Sequence, residues 1–203
     1  MLTTNSTNIG VFDAVAQIVW PERWNPGNPS VDDDDNPDFI ITVDGVHCLI
    51  NEPTHPTMSK NPKYYSHKFH QAAVNYELGI SVFGNQLVWM NGPFPAAEHD
   101  ITVFRKPQGL KSKIPAGKKV IADKGYRGEK TIVSTPSSHD PPGVRKFKSR
   151  ARARHESFNA RLKNFQSLAV RFRHGVEKHG IVFEAICVIC QYQMENGSPL
   201  FDV

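Results

Sequence analysis

The sequence predicts an α/β fold in which a mixed β-sheet is flanked by helices, and three observations lead there. Runs rich in β-branched and apolar residues recur around 39–51, 69–76, 79–83, 86–91 and 118–126, with a helical stretch opening between the last two. Two further helical stretches follow the strands, so elements of both kinds must share one core. At 203 residues with 39% hydrophobic side chains, the chain is long enough for one good-sized domain.

Taken in order, VFDAVAQIVW (11–20) puts apolar side chains at 11, 12, 15, 18 and 19, which is helical spacing. PERWNPGNPSVDDDDNPD (21–38) has four prolines and four consecutive aspartates. It reads as a solvated linker, because the spaced ligands and central glycine of a calcium loop are missing. The chain therefore divides into an N-terminal helix with an acidic linker (1–38) and a domain (39–203). FIITVDGVHCLIN (39–51) reads as a buried strand carrying Asp44. Bends at LG and GN separate the next strands. AEHDITVFRK opens a helix with Asp100 near its start, where the helix dipole favours an acid. KKVIADKGY (118–126) is a short strand ending on Asp123, STPSSHDPPG (134–143) a loop, and 149–167 a cationic helix. HGIVFEAICVICQYQMENG then forms a broadly apolar helix that packs on the sheet.

Net charge is +4, unevenly spread. Residues 1–40 hold seven acids and one base, whereas the stretch from Arg145 to Arg173 holds ten Lys or Arg and one carboxylate, Glu156. Such a body favours a polyanionic partner. No apolar run reaches the roughly 18 residues of a membrane span, and the N-terminus lacks the pattern of a secretory signal. Three cysteines make no disulfide framework and point to a reducing compartment. CVIC (187–190) has metal-like spacing but sits in an apolar helix, so core packing is the reading. His47, His55, His67, His70 and His99 match no tetrahedral zinc pattern. Trp24 and Trp89 read as packing residues.

The acids carry the chemistry. Hard divalent cations take oxygen ligands, and phosphoryl-transfer sites hold them with a few carboxylates and the substrate's phosphates. Asp44 inside a strand is costly without a partner or a metal, though a turn aspartate at a DG bend is the plainer reading. Asp123 suits a ligand at a strand end or an ordinary loop cap, and Asp100 a ligand or an N-cap. Glu156 lies about 160° from Phe158 on a wheel whose buried stripe is Phe158, Leu162, Phe165 and Ala169. A surface i, i+4 pair with Arg152 is its alternative to metal ligation.

Together VDGVHCLI, PAAEHDITVF, IADKGYRG and RARHESFNARLK, in this order, resemble the DDE endonuclease domain of Harbinger-type transposases. YYSHK and PLF extend the resemblance over about residues 40–201. It implies a ribonuclease H-like fold with Asp44, Asp123 and Glu156 as the catalytic triad and Asp100 as a further metal ligand. The implied chemistry is in-line attack on phosphorus by water or a DNA 3′-hydroxyl at a pair of Mg²⁺ or Mn²⁺ ions, which Asp44 would bridge. The implied function is a metal-dependent DNA endonuclease domain of transposase descent. The alternative is a domesticated or truncated domain that binds nucleic acid or protein without cutting. An unrelated basic binding module would instead scatter the four acids. DNA phosphates are expected on the basic 145–173 segment, with a separate DNA-binding protein supplying sequence recognition, since residues 1–40 hold one base. In a eukaryotic host KFKSRARAR would serve nuclear import.

Overall fold

The computed structural model describes residues 39–53 and 61–203. The expected helix over 11–20, the acidic linker, Trp24 and His55 lie outside them. Strand β1 (Phe39–Leu49) is the centre of the sheet. On one side it pairs antiparallel with β3 (Gln71–Ser81), which pairs antiparallel with β4 (Leu87–Pro95). On the other side it pairs parallel with β5 (Lys119–Ile121), which pairs parallel with β6 (Val133–Ser134). The two-residue β2 (Tyr65–Ser66) pairs with the start of β3. A short helix α1 (Asp100–Phe104) follows β4, and α2 (Pro142–Leu162), α3 (Gln166–Ala169) and α4 (Val176–Glu195) follow β6. This is a mixed sheet flanked by helices, with the layout of a ribonuclease H-like fold.

The core lies on both faces of the sheet. Val46, Cys48, Tyr76 and Leu78 meet Phe158 and Leu162 of α2 and Phe183 and Cys187 of α4. On the opposite face Ile41 and Val43 meet Phe104, Leu110, Val120 and Tyr126. Helix α2 runs along β1, and the two repeats match. Four helical residues rise about 6 Å and two strand residues about 6.6 Å, so successive turns of α2 keep pace with β1. His155 Nδ1 lies 2.8 Å from Thr42 Oγ1, Asn159 donates to Asp44 at 3.0 Å, and Lys163 donates to the His47 carbonyl at 2.6 Å.

Several elements differ from the sequence reading. The strands expected at 69–76 and 79–83 are one, since Leu78 and Gly79 stay in the ladder opposite Asp44 and Val43. Gly79 serves close packing here, because a Cβ would stand 2.8 Å from the Trp89 Cβ. The expected bend at Gly84–Asn85 is present between β3 and β4. The cationic helix begins at Pro142, whose fixed φ suits a first turn, and stops at Leu162 rather than 167. Residues 133–134, outside every expected strand and with Ser134 expected in the loop, extend the sheet through parallel pairing alone, and β2 is too short to show in a hydropathy pattern. Ala169 is exposed, so the buried stripe of α2 ends sooner than the wheel suggested. Cys187 and Cys190 are buried free thiols in the core, as is Cys48.

Candidate active site

Register brings the first two acids together. Thr42 of β1 stands beside Ile121 of the parallel β5. Two residues further along each strand come Asp44, still within β1, and Asp123, just past the end of β5, at the same level. Asp44 is therefore no turn residue at a DG bend, for both it and Gly45 are paired within the ladder. Asp123 heads a single 3₁₀ turn and accepts the Gly125 N–H at 2.7 Å. Asp100 arrives from the far side. It is the first residue of α1, with His99 in the capping position, so its side chain does not cap. It crosses above Gly45, where a Cβ would stand 2.6 Å from Asp100 Oδ1 and 3.2 Å from Asn75 Oδ1. A Cβ on Gly125 would stand 2.8 Å from Asp100 Oδ2 and 2.9 Å from Asp123 Oδ1. Two glycines thus clear room for the Asp100 and Asp123 carboxylates, and the charges of both reach Asp44.

Two amides hold them. Asn159 Nδ2 donates to Asp44 Oδ2 at 3.0 Å, and Asn75 Nδ2 donates to Asp100 Oδ1 at 3.2 Å. Burial pushes the Asp44 carboxyl up to about 6, and the charges of Asp123 and Asp100 add to the rise while Arg152 opposes it. Burial likewise holds Asp100 above the ordinary carboxylate range, with the Asn75 bond opposing and the Asp123 charge adding. Asp44 and Asp100, both held above the ordinary carboxylate range with the Asp123 charge adding to each, form a site that a cation would relieve.

Glu156 is the acid left apart. Its side chain is 66% exposed, and Oε1 lies 3.7 Å from Arg152 Nη2, the i, i+4 pair. Yet Arg152, Glu156 and Asn159 fall within about 60° on the helix. Arg152 acts on Asp44 and Asn159 bonds it, so Glu156 stands on the helical face turned toward the aspartates with its carboxyl in water.

Beneath Asp100 lies a residue the sequence reading passed over. Glu77, 1% exposed, pairs across the ladder with Gly45 and accepts the Trp89 indole N–H at 2.8 Å. Burial pushes it up to about 7, the Trp89 bond opposing and the Asp100 charge adding. Trp89 is thus a hydrogen-bond donor as well as a packing residue. Asn75 and Glu77, two apart in an otherwise apolar strand, were the available signal; nothing in the sequence marks Asn159.

The donors suit a hard divalent cation. They are carboxylate oxygens, with the buried, unpartnered Asn75 Oδ1 and Asn159 Oδ1 at the margin. Among the described residues no three His, Cys, Asp or Glu side chains enclose an ion as they stand. Among those residues, too, no helix is long and apolar enough to cross a membrane.

Residues 43–191, well over half of the chain, match the family model described as DDE superfamily endonuclease. The chain belongs to this DDE family. The match runs from the residue before Asp44 past Glu156 into α4, so all four acids of this DDE endonuclease domain lie inside it. No curated protein and no solved structure matches the chain.

The cations of the basic stretch are largely engaged within the domain. Arg154, 3% exposed, donates to the carbonyls of Ser81, Gly84 and Phe201 and to Asn85 Oδ1. Arg150 donates to the Asp202 carbonyl, Arg161 to those of Ser198 and Pro199, and Lys148 to Asp140. This run binds the C-terminal tail to α2, while Arg145 and Lys146 remain exposed.

Proposed function

We propose that this chain is a divalent-metal-dependent DNA endonuclease domain of transposase descent, of the Harbinger type. The observation that carries the reading is the meeting of Asp100 and Asp123 over Gly125, with both charges acting on the buried Asp44, within a DDE endonuclease match. Asp44, Asp123 and Glu156 are the catalytic acids, and Asp100 joins them in holding Mg²⁺ or Mn²⁺. When bound, the metal supplies charge neutralisation and activation for in-line displacement at phosphorus. The protein's own part is positional. Asn159 and Asn75 fix the carboxylate planes of Asp44 and Asp100, and the β1–β5 register fixes Asp44 against Asp123. Glu156 joins them by turning its side chain from Arg152 toward Asp44, a rotation that breaks one solvent-exposed ion pair worth a few tenths of a kcal/mol.

DNA is the substrate, and the exposed Arg145 and Lys146 at the start of α2 take its phosphates without reading bases. A separate DNA-binding protein supplies the sequence recognition. In a eukaryotic host the domain works in the nucleus. Nicking of supercoiled plasmid in Mn²⁺ by the wild type, with none by Asp44→Asn, is the expected result. An intact plasmid, together with no Mn²⁺ binding by calorimetry, rejects the activity.

The outward Glu156 favours one second reading, a domain that retains nucleic-acid binding without cutting. It predicts plasmid retention that Asp44→Ala leaves unchanged, with no nicking by either protein.

A further inference from the structure

The turn that joins β2 to β3, Tyr65-Ser66-His67-Lys68-Phe69-His70, lies on the Asp100 side of the candidate site. Ser66 Oγ stands 3.1 Å from His47 Nδ1, and the Phe69 and His47 rings are 6.2 Å apart. His47 pairs across the ladder with Asn75, whose amide holds Asp100. The Lys68 charge acts on both His47 and Asp100.

Its chemistry is unusual for an exposed turn. Tyr65 is 41% and Phe69 37% exposed, and the His67 ring stands edge-on to Tyr65 at 5.3 Å. Lys68 Nζ lies 5.6 Å from the centre of the Phe69 ring. From 61 to 76 the sequence has no acid. The turn is also held in a fixed shape. His70 has φ +53°, a left-handed conformation uncommon outside glycine. It is secured by the His70 N–H to the Ser66 carbonyl at 2.8 Å and by Tyr65 Oη 3.3 Å from His70 Nδ1. Backbone held in a sparsely populated region is a mark of functional turns.

We propose that this turn is a binding site for an unpaired nucleotide of the nucleic-acid strand passing the three aspartates, with the base against Phe69 and Tyr65 and a neighbouring phosphate on Lys68. Aromatic faces beside a lysine, in a turn free of acids, complement a base and its phosphate. In an intact duplex the base faces are already stacked, so exposed rings select a strand that is frayed, nicked or single-stranded at this point. The inference rests on the nuclease reading for the identity of the ligand, and it adds which form of DNA the site accepts.

The test is fluorescence anisotropy on the full chain in EDTA, with a labelled single-stranded oligonucleotide and the blunt duplex of the same sequence. Phe69→Ala and Phe69→Leu should weaken single-strand binding by about 5- to 100-fold, the loss expected for one stacked base. Phe69→Trp should restore it, and duplex binding should stay within about twofold. Lys68→Gln should lower the slope of log affinity against log salt by about 0.7. Unchanged single-strand affinity in both Phe69→Ala and Tyr65→Ala, or equal loss on duplex, overturns the proposal. Plasmid nicking in Mn²⁺ separates the two readings. Nicking with indifferent aromatics keeps the nuclease and removes this site, whereas ring-dependent strand binding without nicking keeps the site and removes the nuclease.

Discussion

Asn159 donates its side-chain amide to Asp44 Oδ2 at 3.0 Å, tying the basic helix to the central strand three residues beyond Glu156. This bond sets the plane of the Asp44 carboxylate. Asn159→Ala should weaken Mn²⁺ binding by about 10- to 100-fold, the usual cost of losing a group that orients a ligand. Calorimetry measures it, with thermal unfolding as the control. An affinity equal to wild type would mean that the bond is incidental.

Glu156 gives a separate prediction because its present partner is weak. The exposed pair with Arg152 contributes under about 1 kcal/mol, so Glu156→Gln should leave urea stability within that margin. Nicking in Mn²⁺ should nonetheless be lost if the carboxyl turns inward. Retained nicking removes Glu156 from the catalytic set and leaves the aspartates to account for it.

Gly125 tests the gathering of the aspartates by steric means. Its φ is not left-handed, so alanine is allowed by the backbone, but a Cβ would meet Asp100 Oδ2 at 2.8 Å and Asp123 Oδ1 at 2.9 Å. Gly125→Ala should separate these carboxylates and abolish nicking and Mn²⁺ binding, while the exposed position keeps the melting temperature near wild type. Full activity in this variant would show that the two acids need not share that space.

Arg154 and Arg145 should behave oppositely although they belong to one basic run. Arg154→Ala leaves the carbonyls of Ser81, Gly84 and Phe201 without their buried donor and should cost about 3 kcal/mol or more in urea unfolding. Arg145→Ala should leave stability within about 0.5 kcal/mol and reduce the salt slope of duplex binding by about 1. The reverse pattern would reassign which cations face DNA.

Acid pH should weaken the fold through its buried histidines. His179 Nδ1 lies 2.7 Å from Tyr76 Oη, and burial, with the nearby Lys163 charge, pushes it down to about 4. Burial pushes His155 further, to about 3. Both folded values lie below the unfolded one near 6.5, so the unfolded chain takes up the extra protons between. The histidines' contribution is therefore full above about pH 6.5 and falls as pH drops toward 4, by at most about 1.4 kcal/mol per unit for each, while the raised Asp44 and Glu77 carboxyls act in the opposite sense over the same range. Urea titrations from pH 7.5 to 4.5 should show a shallower slope for His179→Gln than for wild type. Parallel slopes would clear His179 of the effect.

The sequence by itself determined the α/β layering, because β-branched runs and helical spacing are local properties of the chain. It also marked Asp44 and Asp123, since acids at the ends of apolar runs stand out in any order of pairing. The joining of 69–76 to 79–83 was hidden because Leu78-Gly79 resembles a turn until Trp89 is seen packed against Gly79. Nor could it show that Asp44 and Asp123 stand level, which follows from a parallel register between strands some 80 residues apart. The fate of the basic stretch was equally beyond it. Charge read along a chain says nothing of whether an arginine meets solvent or a carbonyl, and Arg154 meets carbonyls from two distant segments. Tertiary structure alone decided these points, because pairing, packing and burial join residues that the chain keeps far apart.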